Sequence, residues 1–97
     1  MSKYIILFRF TQKGLENIKE SPARVEAAKK LFRDMNAKVE EFYGLMGRYD
    51  TMFIVEAPDD ETVAKAAASI GSLGNVQPET LRAFTEEEFR NIIEALP

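Results

Sequence analysis

A group of polar side chains in this chain has the types and spacing of a small binding site. Arginine presents fixed, paired N–H donors to carboxylate and phosphate groups, and tyrosine presents a flat ring with a polar tip. Together they predict a pocket for a small anionic or polar aromatic ligand. The alternative is a polar seam in an interface, where an arginine pairs with a glutamate only to neutralise buried charge. The candidate residues are Arg9, Glu41, Tyr43, Tyr49, Asp50, Thr80 and Arg82.

Several of these candidates also have a purely structural interpretation. Asp50 could be a general base, but an aspartate directly after a hairpin corner more often accepts amide hydrogen bonds that fix the turn. Tyr43 and Tyr49 could polarise or stack on a ligand, but tyrosines on a sheet are more often packing residues with a polar tip. The acidic run Glu86–Glu88 is explained by helix capping rather than by a metal site. The sequence therefore assigns no catalytic residue.

Composition excludes several classes of chemistry. The chain of 97 residues has no cysteine and no histidine, which removes disulfides, thiolate metal sites and the usual general base. We therefore expect no cofactor and no chemistry that depends on zinc, iron or copper. A formal net charge of −3 disfavours nucleic-acid binding by a broad basic surface. The apolar run near the N-terminus is too short to span a membrane and has no cleavage site after it, so we expect a cytoplasmic protein without a membrane partner.

The stretch from residue 42 to residue 57 organises the elements that would position the candidate residues. Apolar, β-branched and aromatic residues flank a corner that contains glycine, and this pattern predicts a β-hairpin that turns at Gly47-Arg48. A two-residue loop with Gly first suits a type II′ turn, because Gly accepts positive φ without strain. The first arm, residues 38–43, breaks its alternation at two glutamates, which predicts an edge strand or a bulge.

Two further strands are predicted at opposite ends of the chain. Residues 4–10 alternate aromatic and aliphatic side chains without a break, as a central strand does. Residues 75–84 form the last strand, and Pro78 indicates that this strand lies at an edge or contains a bulge.

Strand parity predicts where two arginines of the candidate set point. Arg9 lies on the face of the first strand away from the helices, and Arg82 lies on the same face if Leu81 and Ala83 face the helices. Both arginines would then project into one enclosed space, where an unpaired buried charge costs several kcal/mol. We therefore expect a polar cavity in which Glu41 pairs with one arginine, and another carboxylate, water or a small anion pairs with the other.

Capping signals predict the helix boundaries. Ser21 can cap a helix that has Pro22 in its first turn, and Asn36 suits a left-handed end to that helix. Asp59 and Asp60 supply the cap and the complement to the dipole of a second helix. A third helix begins with a capping box, in which a threonine and a glutamate three residues later bond each other's backbone amides. The capping-box residues are Thr85 and Glu88.

The predicted order of elements is β-α-β-β-α-β-α in a single domain, residues 1–97. This is the α+β, ferredoxin-like βαββαβ arrangement with an added C-terminal helix. Helices would cover one face of the sheet, and no helix is free to cover the other. The expected apolar side chains of that other face are Ile5, Leu7, Phe53 and Val55. Burying them would favour a homodimer or a higher homo-oligomer.

Six stretches of the chain form a combined pattern: Phe10-Thr11 with Gly14, Ile18–Pro22, Gly47–Asp50, Val55–Glu61, Gly71–Val76 and Glu79–Phe89. In combination they resemble the GYD-domain family. One departure is that Arg48 stands between the glycine and the Tyr-Asp pair. The resemblance implies a dimeric α/β barrel, in which two sheets face each other, and it implies no particular reaction. The hairpin is also similar to the effector-binding domains of Lrp/AsnC regulators, and cofactor-independent monooxygenases share the fold.

Three functions are compatible with these observations. The first is a small cytoplasmic, homo-oligomeric ligand-binding or sensory domain. The second is an enzyme without a cofactor that acts on a small polar or aromatic molecule in the cleft between sheet and helices, with Tyr43, Asp50 or Arg82 as polar participants. The third is a pure assembly module. The fold alone does not distinguish among them.

Overall fold

One antiparallel sheet of four strands forms the centre of the molecule, and the computed structural model describes all residues, 1–97. The strands are β1 (Ser2–Phe10), β2 (Lys38–Gly44), β3 (Thr51–Ala57) and β4 (Val76–Ala83). The helices are α1 (Gln12–Glu16), α2 (Ser21–Asp34), α3 (Asp60–Ser72) and α4 (Glu86–Glu94), and a 3₁₀ turn (Ile18–Glu20) precedes α2.

The sheet order is β2-β3-β1-β4, and every neighbouring pair is antiparallel. The structure confirms the α+β class and the ferredoxin-like βαββαβ order with an added C-terminal helix. It also confirms β1 as a central strand and β4 as an edge strand. The β2 strand lies at the other edge and contains a register shift between Val39 and Glu41, as the interrupted alternation predicted.

The core lies between the sheet and helices α2 and α3. Aromatic rings meet edge to face at its centre, where Phe53 contacts Phe8 and Phe32 with ring centroids 5.2 and 5.8 Å apart. Such pairs add to the stabilisation from buried area. The largest apolar side chains of the core are Tyr4, Ile6, Phe8, Phe32, Phe53, Val55, Val63 and Ile70.

The placement of Phe53 and Val55 on the uncovered face was wrong, because both are buried against the helices. Their neighbours Met52 and Ile54 occupy the other face instead, opposite Leu7 and Ile5 of β1. Residues 52–55 of β3 are all apolar, so alternation along the strand does not show whether Phe53 and Val55 or Met52 and Ile54 face the core.

The connection between β2 and β3 is longer than the two-residue turn expected at Gly47-Arg48. It runs from residue 45 to residue 50, because β2 ends before it and β3 starts after it. Gly47 has φ +108°, so the expected positive φ at this glycine is confirmed. The backbone N–H of Leu45 donates to the carbonyl of Asp50 at 2.8 Å and closes the connection.

Local capping signals determine two helix starts. The Asp59 carboxylate accepts from the backbone N–H of Thr62 at 2.8 Å, which caps α3. The capping box of α4 is confirmed, with reciprocal bonds of 2.8 and 3.1 Å between Thr85 and Glu88. Asn36 has φ +62°, so the predicted left-handed end after α2 is also confirmed.

The predicted start of α2 was wrong in one respect. Ser21 is the first residue of the helix rather than its cap, and the N-cap position is Glu20 without a side-chain bond. The reason is the 3₁₀ turn before it, because the backbone N–H of Ser21 already donates to the carbonyl of Ile18. Pro22, which lacks an N–H, lies in the first turn as predicted.

Helix α4 extends from the body of the domain with no buried residue. Its apolar side chains recur at spacings of three and four, yet each is about half exposed or more. This gives the molecule an elongated shape of 51 × 31 × 19 Å. None of the helices has the length and apolar character needed to cross a membrane. The exposed apolar residues of α4 and its end are Phe89, Ile92, Ile93 and Leu96.

Candidate functional site

The sheet face that no helix covers, called here the open face, is the first candidate site. Strand pairing aligns its side chains into two rows that cross all four strands. Apolar residues fill the middle of both rows, and the edge positions are polar except for Leu81 on β4. One row contains Tyr43, Met52, Leu7 and Glu79, and the next contains Glu41, Ile54, Ile5 and Leu81.

Arg9, Tyr49 and Glu79 form a cluster at one end of the open face. The Arg9 guanidinium carbon lies 5.1 Å from the centroid of the Tyr49 ring, and the Tyr49 hydroxyl donates to Glu79 Oε2 at 2.9 Å. Glu41 pairs with neither Arg9 nor Arg82, so the expectation that it pairs with one of these arginines is wrong. Sequence reasoning missed Glu79, because no local pattern indicates the register that places it opposite Leu7.

Two further pairs of polar groups lie at the border of the open face. The Tyr43 hydroxyl donates to Glu41 Oε2 at 2.7 Å, and this hydrogen bond raises the pKa of Tyr43. At the opposite end, Lys3 Nζ lies 3.0 Å from Glu40 Oε1, and that hydrogen bond raises the pKa of Lys3. The open face therefore has an apolar middle with paired polar groups at its border.

The expectation that Arg9 and Arg82 lie on one face was wrong. Arg82 pairs with Tyr4 across the ladder and Thr80 pairs with Ile6, which are residues of the core side. Arg9 instead pairs with Gln77 on the open face. Successive residues of a strand point to opposite faces, so an error of one residue assigned every β4 side chain to the wrong face. The predicted polar cavity beside both arginines does not form.

Arg82 is held on the core side by aromatic rings and carbonyl groups. Its guanidinium carbon lies 4.6 Å from the Phe84 ring centroid and 5.6 Å from that of Tyr4. It donates to the carbonyls of Lys3 and Ala83 and lies 3.9 Å from Glu88. Arg82 therefore links the sheet to the start of α4, a role that local sequence patterns do not show.

Three residues around the hairpin corner have distinct geometric roles. Gly47 takes the positive φ, and Tyr49 stacks under Arg9. Asp50 Oδ2 accepts from the backbone N–H of Phe10 at 2.8 Å, and this bond ties the connection to the end of β1. The sequence of the corner and its fold agree with a known family, because the GYD domain matches residues 4–93. The chain belongs to the GYD domain family.

Two proteins resemble this GYD domain over most of its length. A Thermus thermophilus protein named glutamine synthetase and cystathionine beta-lyase binding protein is 37% identical over 84 residues, which cover 86% of this chain and 88% of the relative. The crystal structure of TTHA0845, also from Thermus thermophilus, matches with a TM-score of 0.57 and 28% identity, over 88% of this chain and 95% of that one.

The cleft between sheet and helices of this GYD domain is the second candidate site. It contains a cavity of about 270 Å³ with mainly apolar walls. Tyr43, Asp50 and Arg82, the polar participants proposed for an enzyme in this cleft, do not line the cavity. No local pattern indicates this cavity, because it is the space left after distant segments have packed. Acidic side chains nowhere gather into a group that could hold a metal ion.

The candidate residues thus divide between separate places. Arg9 and Tyr49 meet at one end of the open face, and Glu41 and Tyr43 meet at its β2 edge. Asp50 lies beneath the corner, while Thr80 and Arg82 lie on the core side. Ligand binding by these residues stays a prediction, and it no longer concerns one common pocket.

Proposed function

We propose that this GYD domain is a homo-oligomeric binding module, in which two copies pair through their open faces and the dimer binds metabolic enzymes. The observation that carries the proposal is the open face itself, an apolar surface that the chain leaves uncovered. Its middle consists of Ile5, Leu7, Met52, Ile54 and Leu81.

A second copy is a suitable cover for this surface. The apolar rows lose water when two faces meet, which contributes roughly 25 cal/mol for each Å² of apolar area. Several polar groups at the border already have partners, such as Glu41 for Tyr43 and Glu40 for Lys3, and the apolar middle contains no charged side chain that pairing would bury. Stable interfaces bury about 800 Å² on each partner. The dimeric barrel implied by the family resemblance has this same arrangement.

The binding of enzymes is supported by the Thermus thermophilus relative, whose name says that it binds glutamine synthetase and cystathionine beta-lyase. This chain has a surface suited to such a role in α4, where Phe89, Ile92 and Ile93 are 57%, 43% and 48% exposed. An amphipathic helix of this kind docks into an apolar groove of a partner protein. We propose that α4 contacts the enzyme.

The polar border of the open face would supply the sensory part of the function. Arg9 is exposed and has no carboxylate partner within salt-bridge distance, so its guanidinium can still donate to a small anionic ligand. Tyr49 would stack beside that ligand, and a ligand at the border of two paired faces would stabilise the dimer by mass action.

Sedimentation velocity at micromolar concentration tests the dimer. The wild-type chain should sediment as a dimer or larger species, and the double variant Leu7→Lys with Ile54→Lys should sediment as a folded monomer. Ala64→Lys on the exposed side of α3 is the matched control and should leave the wild-type profile unchanged. A wild-type profile with monomer alone would contradict pairing through the open face.

Calorimetric titration against purified glutamine synthetase and cystathionine beta-lyase from the source organism tests enzyme binding. Wild-type chain should bind at least one of them, and the double variant Ile92→Lys with Ile93→Lys should bind at least tenfold more weakly. Arg90→Lys, on the polar side of α4, is the control and should bind as wild type does. A dimer that binds neither enzyme would leave self-association standing and refute the binding role.

A further inference from the structure

The cavity between the sheet and its helices has the dimensions of a small ligand. Its volume of about 270 Å³ is close to the lower end of known ligand pockets, about 300 Å³. At about 30 Å³ for each water-sized group in a liquid, it accommodates roughly nine such groups. The cavity is open to the surface on one side, because Phe42 and Leu73 in its lining are 36% and 63% exposed. A ligand can therefore enter it from solvent without unfolding the core.

The walls of the cavity favour a ligand with an apolar body. The sheet contributes Phe8 and Phe53, α2 contributes Ala28 and Leu31, and α3 contributes Ile70. None of these side chains has a hydrogen-bonding group, so a polar ligand placed among them would lose its bonds to water without compensation. The interior therefore suits an aliphatic chain or an aromatic ring.

The mouth of the cavity is positively charged. Arg24 is the only charged residue that lines the cavity, and both Arg24 and Asn75 also line a shallow surface depression beside it. That depression contains two further cations, Lys13 and Lys19, against a single acid, Glu20. Charge complementarity therefore favours a ligand whose anionic end lies at Arg24 and whose apolar end lies inside.

Arg24 is positioned by the backbone, and its only acidic contact is a long ion pair with the exposed Glu20. One of its guanidinium nitrogens donates to the carbonyl of Asn17 at 3.1 Å, and the other to that of Gly14 at 3.4 Å. The Glu20 carboxylate is 3.8 Å away, and its side chain is 71% exposed. A guanidinium has five N–H donors, so donors remain for a ligand.

We propose that this cavity binds a small anionic amphiphile, with an apolar body of roughly eight to ten non-hydrogen atoms and a carboxylate or phosphate head at Arg24. The inference goes beyond the proposed function and does not depend on it. The cavity lies on the helix-covered side of the sheet, whereas the proposed dimer uses the open face.

Amide and methyl NMR titrations of the whole chain test the inference with defined probes. The probes are butyrate, octanoate, octanamide and octyl phosphate. Octanoate should shift signals of Phe8, Ala28, Leu31 and Ile70. It should bind on the order of a hundredfold more tightly than butyrate, since each buried methylene contributes about fourfold. Octanoate or octyl phosphate should bind at least tenfold more tightly than the neutral octanamide, and the tighter of the two identifies the head.

Two variants with matched controls assign the site. Arg24→Gln should reduce octanoate binding to the level of octanamide, whereas Arg33→Gln on the exposed side of the same helix should not. If Arg24 were only structural, its loss would weaken both probes equally. Ala28→Phe should fill the cavity and abolish binding, whereas Ala64→Phe on the exposed side of α3 should leave binding unchanged. If Ala28→Phe fails to fold, the Arg24 and Arg33 pair still decides the question.

Three results would overturn the inference. The first is the absence of octanoate shifts in the folded protein at millimolar concentration. The second is a set of shifts confined to the open face, at residues such as Leu7 and Ile54. The third is equal binding of octanoate and octanamide to the wild-type chain, which would remove the role of Arg24.

Discussion

Both the helix-covered face and the open face of the sheet carry apolar side chains, but the chain fully buries side chains only on the covered face. On the covered face, Phe8, Phe53 and Val55 are at most 4% exposed. On the open face, Ile5, Leu7 and Ile54 alternate with them along the same strands and remain only partly buried. The difference arises from the connections, because both long helices cross on the same side of the sheet.

The two faces of the sheet therefore contribute to different free energies, the covered face to folding and the open face to association. Side chains on the covered face stabilise the monomer through packing against α2 and α3. Side chains on the open face contribute fully only when something covers them. Their replacement should consequently change association more than folding.

The largest expected effect is on the covered face. Phe53→Ala should lower the free energy of unfolding by about 3–5 kcal/mol, because it leaves a cavity among three aromatic neighbours. Ile54→Ala, one residue away on the open face, should cost the monomer only about 1 kcal/mol. Urea denaturation of both variants measures the difference, with Phe53→Leu as the variant to use if Phe53→Ala does not fold. Equal losses at the two positions would contradict the division.

The next effect concerns the polar end of a covered side chain. The hydroxyl of Tyr4, which is 2% exposed, donates to Asp60 at the start of α3. Tyr4→Phe should therefore lower the free energy of unfolding by about 1 kcal/mol, whereas the exposed Tyr43→Phe should change it little. Thermal denaturation of the two variants compares them.

Tyr4 also predicts a dependence on alkaline pH. Burial, together with the bond to Asp60, raises the pKa of Tyr4. Because the folded value lies above the unfolded one, the stability due to the neutral hydroxyl is present below about pH 10 and is lost as the pH rises further. In an absorbance titration Tyr4 should ionise above the ordinary range of tyrosine, and Tyr4→Phe should remove that step. Retention of that step in the variant would assign it to another tyrosine.

A smaller effect is expected at the border of the open face. The contact of Arg9 with the Tyr49 ring is exposed, so a double-mutant cycle of Arg9→Met and Tyr49→Leu should give a coupling of about 0.5–1 kcal/mol in unfolding. A cycle that pairs Arg9→Met with the distant Glu61→Gln provides the control and should give none. Coupling in both cycles would mean that Arg9 acts through the overall charge rather than through the ring.

The smallest effect concerns the two capping carboxylates. Hydrogen bonds from Thr62 lower the pKa of Asp59, and the backbone N–H of Thr85 lowers that of Glu88. Because the folded values lie below the unfolded ones, their contribution is present above about pH 4 and is lost as the pH falls. Asp59→Asn keeps an acceptor at the cap and should flatten the decline of the melting temperature between pH 5 and pH 3. A decline as steep as that of wild type would contradict this role of Asp59.

The sequence allowed the fold to be predicted wherever short-range chemistry decides the structure. Asp59, Thr85 and Asn36 act through bonds to residues three or four positions away, and each has its predicted role. Ser21 does not cap the helix, because a 3₁₀ turn precedes it and the backbone N–H of Ser21 already donates within that turn.

The site was less predictable because it depends on which way strands face. Met52, Phe53 and Ile54 are all apolar, so the sequence does not show which of them is buried. The alternation Leu81, Arg82, Ala83 suggests a buried face that is in fact the open one, since Arg82 finds aromatic partners on the core side. Such long-range packing, like the cavity at Arg24, has no counterpart in a local pattern.

The isolation of α4 has a consequence for its dynamics. A helix of nine residues is marginal on its own in water, and α4 has its capping box and the contact of Glu88 with Arg82 but no buried side chain. Its amides should therefore exchange with solvent deuterium by local opening, much faster than those of the central strand β1. Slowed exchange confined to residues 86–94 would then report that a partner has engaged this helix, while the rest of the domain keeps its own exchange rates.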